Sequence, residues 1–169
     1  MADIFKEQLI KREPNFKDSL TKAALVVGAL LLFLAAVFFI PGLGLLVGAA
    51  VAFGAYVLAG RLNKEYEYIF TNGELDIDII YNKSSRKRVF TGYVKDFELM
   101  AHIDDASNQN SINSANEKLD YSSGVPSERS YVFLTNYDSK RVAIIIEPND
   151  EMLEVITKVL TRRKFYPKK

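Results

Sequence analysis

Glu74, Asp76 and Asp78 stand at alternate positions in the stretch ELDID. Several carboxylate oxygens in one place would suit a hard divalent cation. A strand, however, sets alternate side chains about 7 Å apart along one face, so the expectation is a solvated sheet face neutralised by Arg86 and Arg88. His102 is the chain's one histidine. A catalytic imidazole needs a nucleophile or an orienting carboxylate around it. Asp104 and Asp105 are close, but no nucleophile motif accompanies them, and a lone histidine without cysteine makes a poor metal site. It reads as a surface histidine at a strand end. The chain contains no cysteine, which removes disulfides, thiol nucleophiles and thiolate ligands. No catalytic residue, cofactor or metal is assigned, and the chain is read as a non-enzyme.

Positive charge offers a different chemistry. Lys83, Arg86, Lys87 and Arg88 cluster at an expected hairpin tip. No acid follows Glu154, so Lys158, Arg162, Arg163, Lys164, Lys168 and Lys169 make a basic tail. Basic side chains near an anionic leaflet gain about 1 kcal/mol each within a Debye length. The candidate lipid- or partner-binding residues are therefore Lys83, Arg86, Lys87, Arg88, Arg162, Arg163 and Lys164. The competing reading is ordinary solubilising charge on a hairpin tip and a frayed tail. A net charge of +1 and no base-reading motif argue against nucleic acid.

The elements that must position these groups begin with the stretch that water rejects. From Ala23 to Gly60 there is no Asp, Glu, Lys, Arg, His, Asn or Gln. Residues 23–40 and 43–62 would give helices of roughly 27 and 30 Å, against a hydrocarbon core of about 30 Å. Pro41 cannot sit inside a regular helix without strain, and Gly42 gives the backbone freedom of a tight turn. The expectation is a transmembrane hairpin turning at Pro41 and Gly42. Lys11, Arg12, Lys17 and Lys22 precede it, Arg61 and Lys64 follow it, and the turn is uncharged. Positive flanks stay cytoplasmic, which places both termini in the cytoplasm of a multi-pass protein of the cell membrane. Gly44, Gly48, Ala52, Ala55 and Ala59 line one side of the second span. Small residues at this spacing let helices approach closely in lipid. Two uses are open: packing on the first span near Gly28 and Ala35, or a homo-oligomer seam.

Residues 1–22 hold Ile4, Phe5, Leu9 and Ile10 among charges, read either as an amphipathic helix on the cytoplasmic surface or as a solvated leader. Pro14 interrupts them, and Asn15 or Asp18 caps the helix that follows. Beyond residue 63 the apolar period becomes two. Leu75, Ile77, Ile79 and Tyr81 share one face, Asn72-Gly73 is a tight-turn signal, and the next strand alternates through Val89, Thr91, Tyr93, Phe97 and Leu99. Residues 104–130 are rich in Asp, Ser and Asn and read as a flexible loop. A second hairpin turns at 136–140. Pro148 and Asn149 then open a helix with Met152, Val155, Ile156, Val159 and Leu160 on one face, expected to cover the sheet.

The fold class expected is thus an α+β membrane protein: a leader over 1–22, a two-helix hairpin over 23–62, and a cytoplasmic domain over 63–169, an antiparallel sheet capped by a C-terminal helix. The IFTNGELDI hairpin, the VKDFELM strand and the closing VAIIIEPNDEMLEVITKVL strand and helix resemble the bacterial pleckstrin-homology-like domain. The chain over 1–166 also resembles a family of two-span membrane proteins from Clostridia-type bacteria. That resemblance implies a curved sheet closed by one helix, with seven strands, of which five are clear in the sequence. Two functions follow as expectations. One is an anchored PH-like domain binding a protein or anionic lipid. The other is a small accessory subunit of a transporter or envelope enzyme, contacted through the hairpin. The spans hold no ionisable residue, which argues against an ion pathway of their own.

Overall fold

The structure, a computed structural model, describes residues 3–168 apart from the side chain of Arg163. Its first element is a strand. Phe5–Lys11 forms β1 and pairs antiparallel with β2, Lys64–Thr71, in unbroken register from Phe5↔Thr71 to Lys11↔Glu65. The segment expected as an amphipathic helix or a solvated leader is thus a strand over Phe5–Lys11, and its last residues, from Phe16, are the start of a long helix. Lys6, Gln8 and Ile10 are half-buried while Phe5, Glu7 and Leu9 are exposed, a period of two. The segment is too short to hold a helix alone, and a partner strand supplies what it lacks.

The chain divides into two compact units. One comprises the residues up to Glu13, Glu65–Ile80 and Arg86 onward; the other comprises Pro14–Lys64 with Tyr81–Ser85. The second unit is helical. Its α1 runs from Phe16 to Phe39 and its α2 from Gly44 to Gly60. Asn15 caps α1 with its side chain on the Asp18 N–H, and Asp18 returns a hydrogen bond to the Asn15 N–H, a full capping box. This cap starts α1 well before Ala23. At the turn, Gly42 takes a φ of +81°, which an L side chain resists. A Cβ on Gly44 would strike the Ala36 carbonyl oxygen and lie 2.7 Å from Val37 Cα, and one on Gly48 would lie 2.6 Å from the Phe33 ring. The upper part of the small-residue stripe therefore packs on α1, at Ala36, Val37 and Phe33. Of the expected contacts near Gly28 and Ala35, Gly28 faces open space, while the packing falls on residues beside Ala35.

The first unit is a pair of sheets. The four-stranded sheet has the order β1-β2-β3-β4, with β3 at Glu74–Tyr81 and β4 at Ser85–Tyr93. Asn72 and Gly73 join β2 to β3 with φ of 51° and 96°, the left-handed pair that suits a two-residue hairpin. The five-stranded sheet has the order β6-β8-β7-β5-β9, from β5 (Leu99–His102), β6 (Glu117–Asp120), β7 (Tyr131–Tyr137), β8 (Lys140–Ile146) and β9 (Phe165–Tyr166). Its pairs β5–β7 and β7–β8 are antiparallel; β6–β8 and β5–β9 are parallel. The described residues thus hold nine strands, not five. The expected continuation from Tyr93 to Leu99 breaks into a 3₁₀ turn at Val94–Asp96, where the chain changes sheets: Val94 N donates to Gly73 O and Glu98 N to Leu134 O.

Between the sheets lie Tyr68, Phe70, Leu75, Ile77, Phe90 and Ile144, all buried, with Phe97 stacked on Phe133 at 4.1 Å between ring centroids. The helix α3 at Gln109–Asn113 and strand β6 occupy the segment expected as a flexible loop. The C-terminal helix α4, Asp150–Val159, is capped by Asn149 on the Met152 N–H at 2.8 Å and buries Met152, Val155 and Ile156.

Candidate functional site

The acidic ladder of β3 is neutralised by Arg86 and Arg88 as expected, but it is solvated only at Glu74 and Asp76. Asp78 is 3% exposed and Glu67, on β2, is also 3% exposed. The β4 arginines lie over them. Arg88 reaches Asp78 at 2.7 Å and Asp76 at 2.5 Å, and Thr91 Oγ1 also bonds Asp76. Arg86 Nη2 lies 2.8 Å from both Glu67 oxygens, with its hydrogen bond directed to Oε1, so Oε2 has the charge without a directed donor. Burial pushes the Glu67 carboxyl above the usual range and the Glu7 carboxyl beside it adds to this, against the lowering pull of Arg86. Hydrogen bonding to Asp78, with Asp76 also near, raises the Arg88 guanidinium, so this cation is held.

A second constellation centres on Glu147, at the end of β8. Its carboxylate accepts from Ser123 N at 2.7 Å, Ser127 Oγ at 2.6 Å and Ser130 Oγ at 3.4 Å. Burial works to raise this carboxyl, but these donors together outweigh it and hold it below the usual range. The same residue's N–H donates to Tyr68 Oη at 3.2 Å, Tyr68 Oη donates to the Tyr121 carbonyl at 2.5 Å, and Gln8 Nε2 donates to the Glu147 carbonyl at 2.8 Å. Burial pushes the Tyr68 phenol strongly up, so it stays a donor. One carboxylate and one tyrosine thereby tie β1, β2, β8 and the serine-rich segment 122–130 together.

His102 is buried, 1% exposed, rather than at the surface. Its Nδ1 accepts from Asp104 N at 3.2 Å, its ring stands edge-on to Tyr131 at 5.4 Å, and its Nε2 has no partner. A cavity of about 430 Å³ beside it is lined by Asp104, Asp105, Ser107 and Lys168. No group of three or more His, Asp or Glu among the described residues is placed to hold a metal ion.

A further surface feature of this unit is a groove of about 330 Å³ where two sheet edges come near each other. β4 ends the four-stranded sheet and β6 ends the five-stranded one. Val89, Leu119, Tyr121 and Val142 line the groove; its charged members are Lys87, Arg88, Glu117, Asp138 and Lys140, with Lys140 Nζ 3.7 Å from Glu117. Edge strands carry unpaired backbone N–H and C=O groups, so such a groove can take an extended segment as an added strand.

The resemblance implies one curved antiparallel sheet closed by a C-terminal helix; the chain has the closing helix, but its strands form two sheets with a corner at Val94–Asp96 and two parallel pairs. A family model described as bacterial PH-like domain (DUF6106) matches residues 2–166. The chain belongs to this bacterial PH-like family. Searches of curated proteins and of solved structures return no match. PH-like domains are binding modules in general character, and that is the level of function membership supplies.

The structure separates the basic residues singled out in the sequence. Arg86 and Arg88 are engaged by Glu67, Asp76 and Asp78. Lys87 lines the groove, and Lys83 sits in the β3–β4 turn, which belongs to the helical unit. Lys164 Nζ donates to the carbonyls of Phe97 at 2.8 Å and Lys95 at 3.3 Å, acting as a clip on the corner. Arg162 is exposed, and the side chain of Arg163 lies outside the described residues. Gly44 and Gly48 are packing residues, whereas Ala52, Ala55 and Ala59 line an apolar groove of about 500 Å³ with Val26, Leu30 and Phe33 of α1. Glu67 and Glu147 were invisible to motif reasoning because nothing local marks them. The groove was equally hidden, because β6 lies in a segment with almost no apolar alternation.

Proposed function

We propose that this chain is a membrane-anchored, non-enzymatic binding protein, its hairpin the anchor and its β4–β6 groove the docking surface for an extended segment of a protein partner. The carrying observation is the β1–β2 register. The helical unit is an insertion between two directly paired strands: the chain leaves after Lys11 and returns at Glu65, which pair with each other. Both ends of the insertion therefore start from one place, as a hairpin that enters and leaves a bilayer on one side requires. The helices suit that medium. α1 has a mean hydropathy of 2.5 over its apolar window, of which 6% is buried, and it is long enough to cross a membrane. Its length of about 36 Å exceeds the ~30 Å core, while α2 is about 26 Å and relies on its flanks. Phe38, at 80%, with Leu46 and Phe53, is exposed to a degree that water would penalise. The positive flanks favour cytoplasmic termini, and kinship with two-span proteins of Clostridia-type bacteria belongs to the same reading.

The apolar groove lined by Ala52, Ala55 and Ala59 favours the accessory-subunit reading, in which a second helix of a partner or of another copy fills it. One comparison separates anchor from core. The full chain is expected in the membrane pellet after alkaline extraction. A variant with a short Gly-Ser turn joining Glu13 to Glu65 is expected in the supernatant with its β circular dichroism intact. A full chain that extracts freely contradicts the anchor. Affinity capture from detergent then tests the two partner surfaces: Ala55→Leu abolishes a partner held by the hairpin, and Leu119→Arg, at a half-buried position on the edge strand β6, abolishes one held by the groove.

A further inference from the structure

Charge is split between the two units. The helical unit carries Lys17, Lys22, Arg61, Lys64 and Lys83 against Asp18 alone, net +4, so the rest of the chain is net −3 within a total of +1. The five cations gather at one end of the hairpin. Lys17 and Lys22 lie in the first turns of α1, and Arg61 and Lys64 follow α2. Lys22 Nζ donates to Asn63 Oδ1 at 2.7 Å, which holds the two helix ends together. The β3–β4 turn joins them: Asn82 N donates to Asn63 O at 2.9 Å, and the Asn82 side chain lies against Gly60. Lys83 follows, exposed and at a left-handed φ of 56°, and Lys64 Nζ lies 5.9 Å from the Tyr81 ring centroid. None of the five forms an ion pair among the described residues, in contrast to Arg86 and Arg88. The opposite end of the hairpin, 40–43, is uncharged.

We propose that this collar binds the phosphates of anionic phospholipids in the leaflet the hairpin enters, and that the net-acidic PH-like unit does not. The inference rests on the membrane reading above. Lys and Arg just outside an apolar span sit at phosphate depth, where attraction to anionic lipid is strongest. Hydrogen bonds among three chain segments hold the backbones that carry these charges together, so the cluster is gathered before lipid binds. The rest of the molecule, net negative, is repelled by the same leaflet.

The test is thermal unfolding of the full chain in nonionic detergent with added phosphatidylglycerol or phosphatidylcholine. Phosphatidylglycerol is expected to raise the melting temperature and phosphatidylcholine to leave it unchanged. The combined Lys22→Gln, Arg61→Gln, Lys64→Gln and Lys83→Gln variant is expected to lose that rise, and the Lys87→Gln, Arg162→Gln variant to keep it. Lys83→Gly covers the case in which the combined variant does not fold. Glycine accepts the left-handed φ without strain, so this variant should be as stable as the parent in phosphatidylcholine and show a smaller rise with phosphatidylglycerol. A parent without the rise, a combined variant or Lys83→Gly that keeps all of it, or an equal rise with inorganic phosphate would each overturn the proposal. The combined variant should still resist alkaline extraction, so failure here is distinct from failure of the anchor.

Discussion

At the scale of single residues, two buried carboxylates have opposite consequences for stability. Glu147 is held below the usual carboxyl range by Ser123, Ser127 and Ser130 despite its burial. Its ionised form is therefore worth more in the folded state, a contribution complete above the ordinary carboxyl range and lost as pH falls through the lowered value. Glu147→Ala should cost about 1–3 kcal/mol in denaturant unfolding at neutral pH, and the difference should shrink in acid. Glu67 runs the other way. Its folded value is raised by burial and by Glu7, so its stabilising form is protonated and is lost as pH rises through that raised value. Glu67→Gln is expected to raise the melting temperature near about pH 8 and to have little effect near about pH 4; a loss at the higher pH would mean that the Arg86 pair outweighs burial. Neither residue could be found in the sequence. The alternation of β3 showed which face Asp76 and Asp78 share, but whether that face meets water depends on the β4 arginines laid over it. His102 was misplaced for the same reason, since burial at a strand end is set by β7 and β9, not by its neighbours.

At the scale of elements, what was legible is what local chemistry specifies. Asn15 with Asp18, Asn149 with Met152, and Asn72-Gly73 each satisfy their backbone within a few residues, and each stands where the sequence placed it. Asn15→Ala should cost about 1 kcal/mol of hairpin stability, read by helix circular dichroism in detergent. β1 was illegible because its reason for being a strand lies beyond the whole hairpin, in β2. β6 was hidden similarly: Glu117–Asp120 has no apolar period and is a strand through its pairing with β8. The hairpin contact gives the sharpest contrast among glycines. Gly44→Ala forces a methyl into the Ala36 backbone, which cannot rotate away, and should separate the helices; Gly28→Ala meets nothing and should be neutral or slightly stabilising. Equal behaviour of the two in detergent melting would remove Gly44 from the interface.

At the scale of the whole molecule, the resemblance to the PH-like domain carried an antiparallel sheet and the closing helix, and the family match agrees, whereas the division into two sheets did not follow from it. The domain boundaries needed the structure, because a strand ahead of the helices makes the PH-like unit discontinuous and turns the helical unit into an insertion between β1 and β2. On the proposed reading, this insertion crosses to the far side of a bilayer and returns. Since the chain has no cysteine, single-cysteine labelling of cells with an impermeant maleimide addresses it directly. Leu43→Cys, at the turn, should label in intact spheroplasts, while Asp3→Cys and Lys168→Cys should label only after lysis. Labelling of Asp3→Cys or Lys168→Cys from outside, or protection of Leu43→Cys until lysis, would contradict the account.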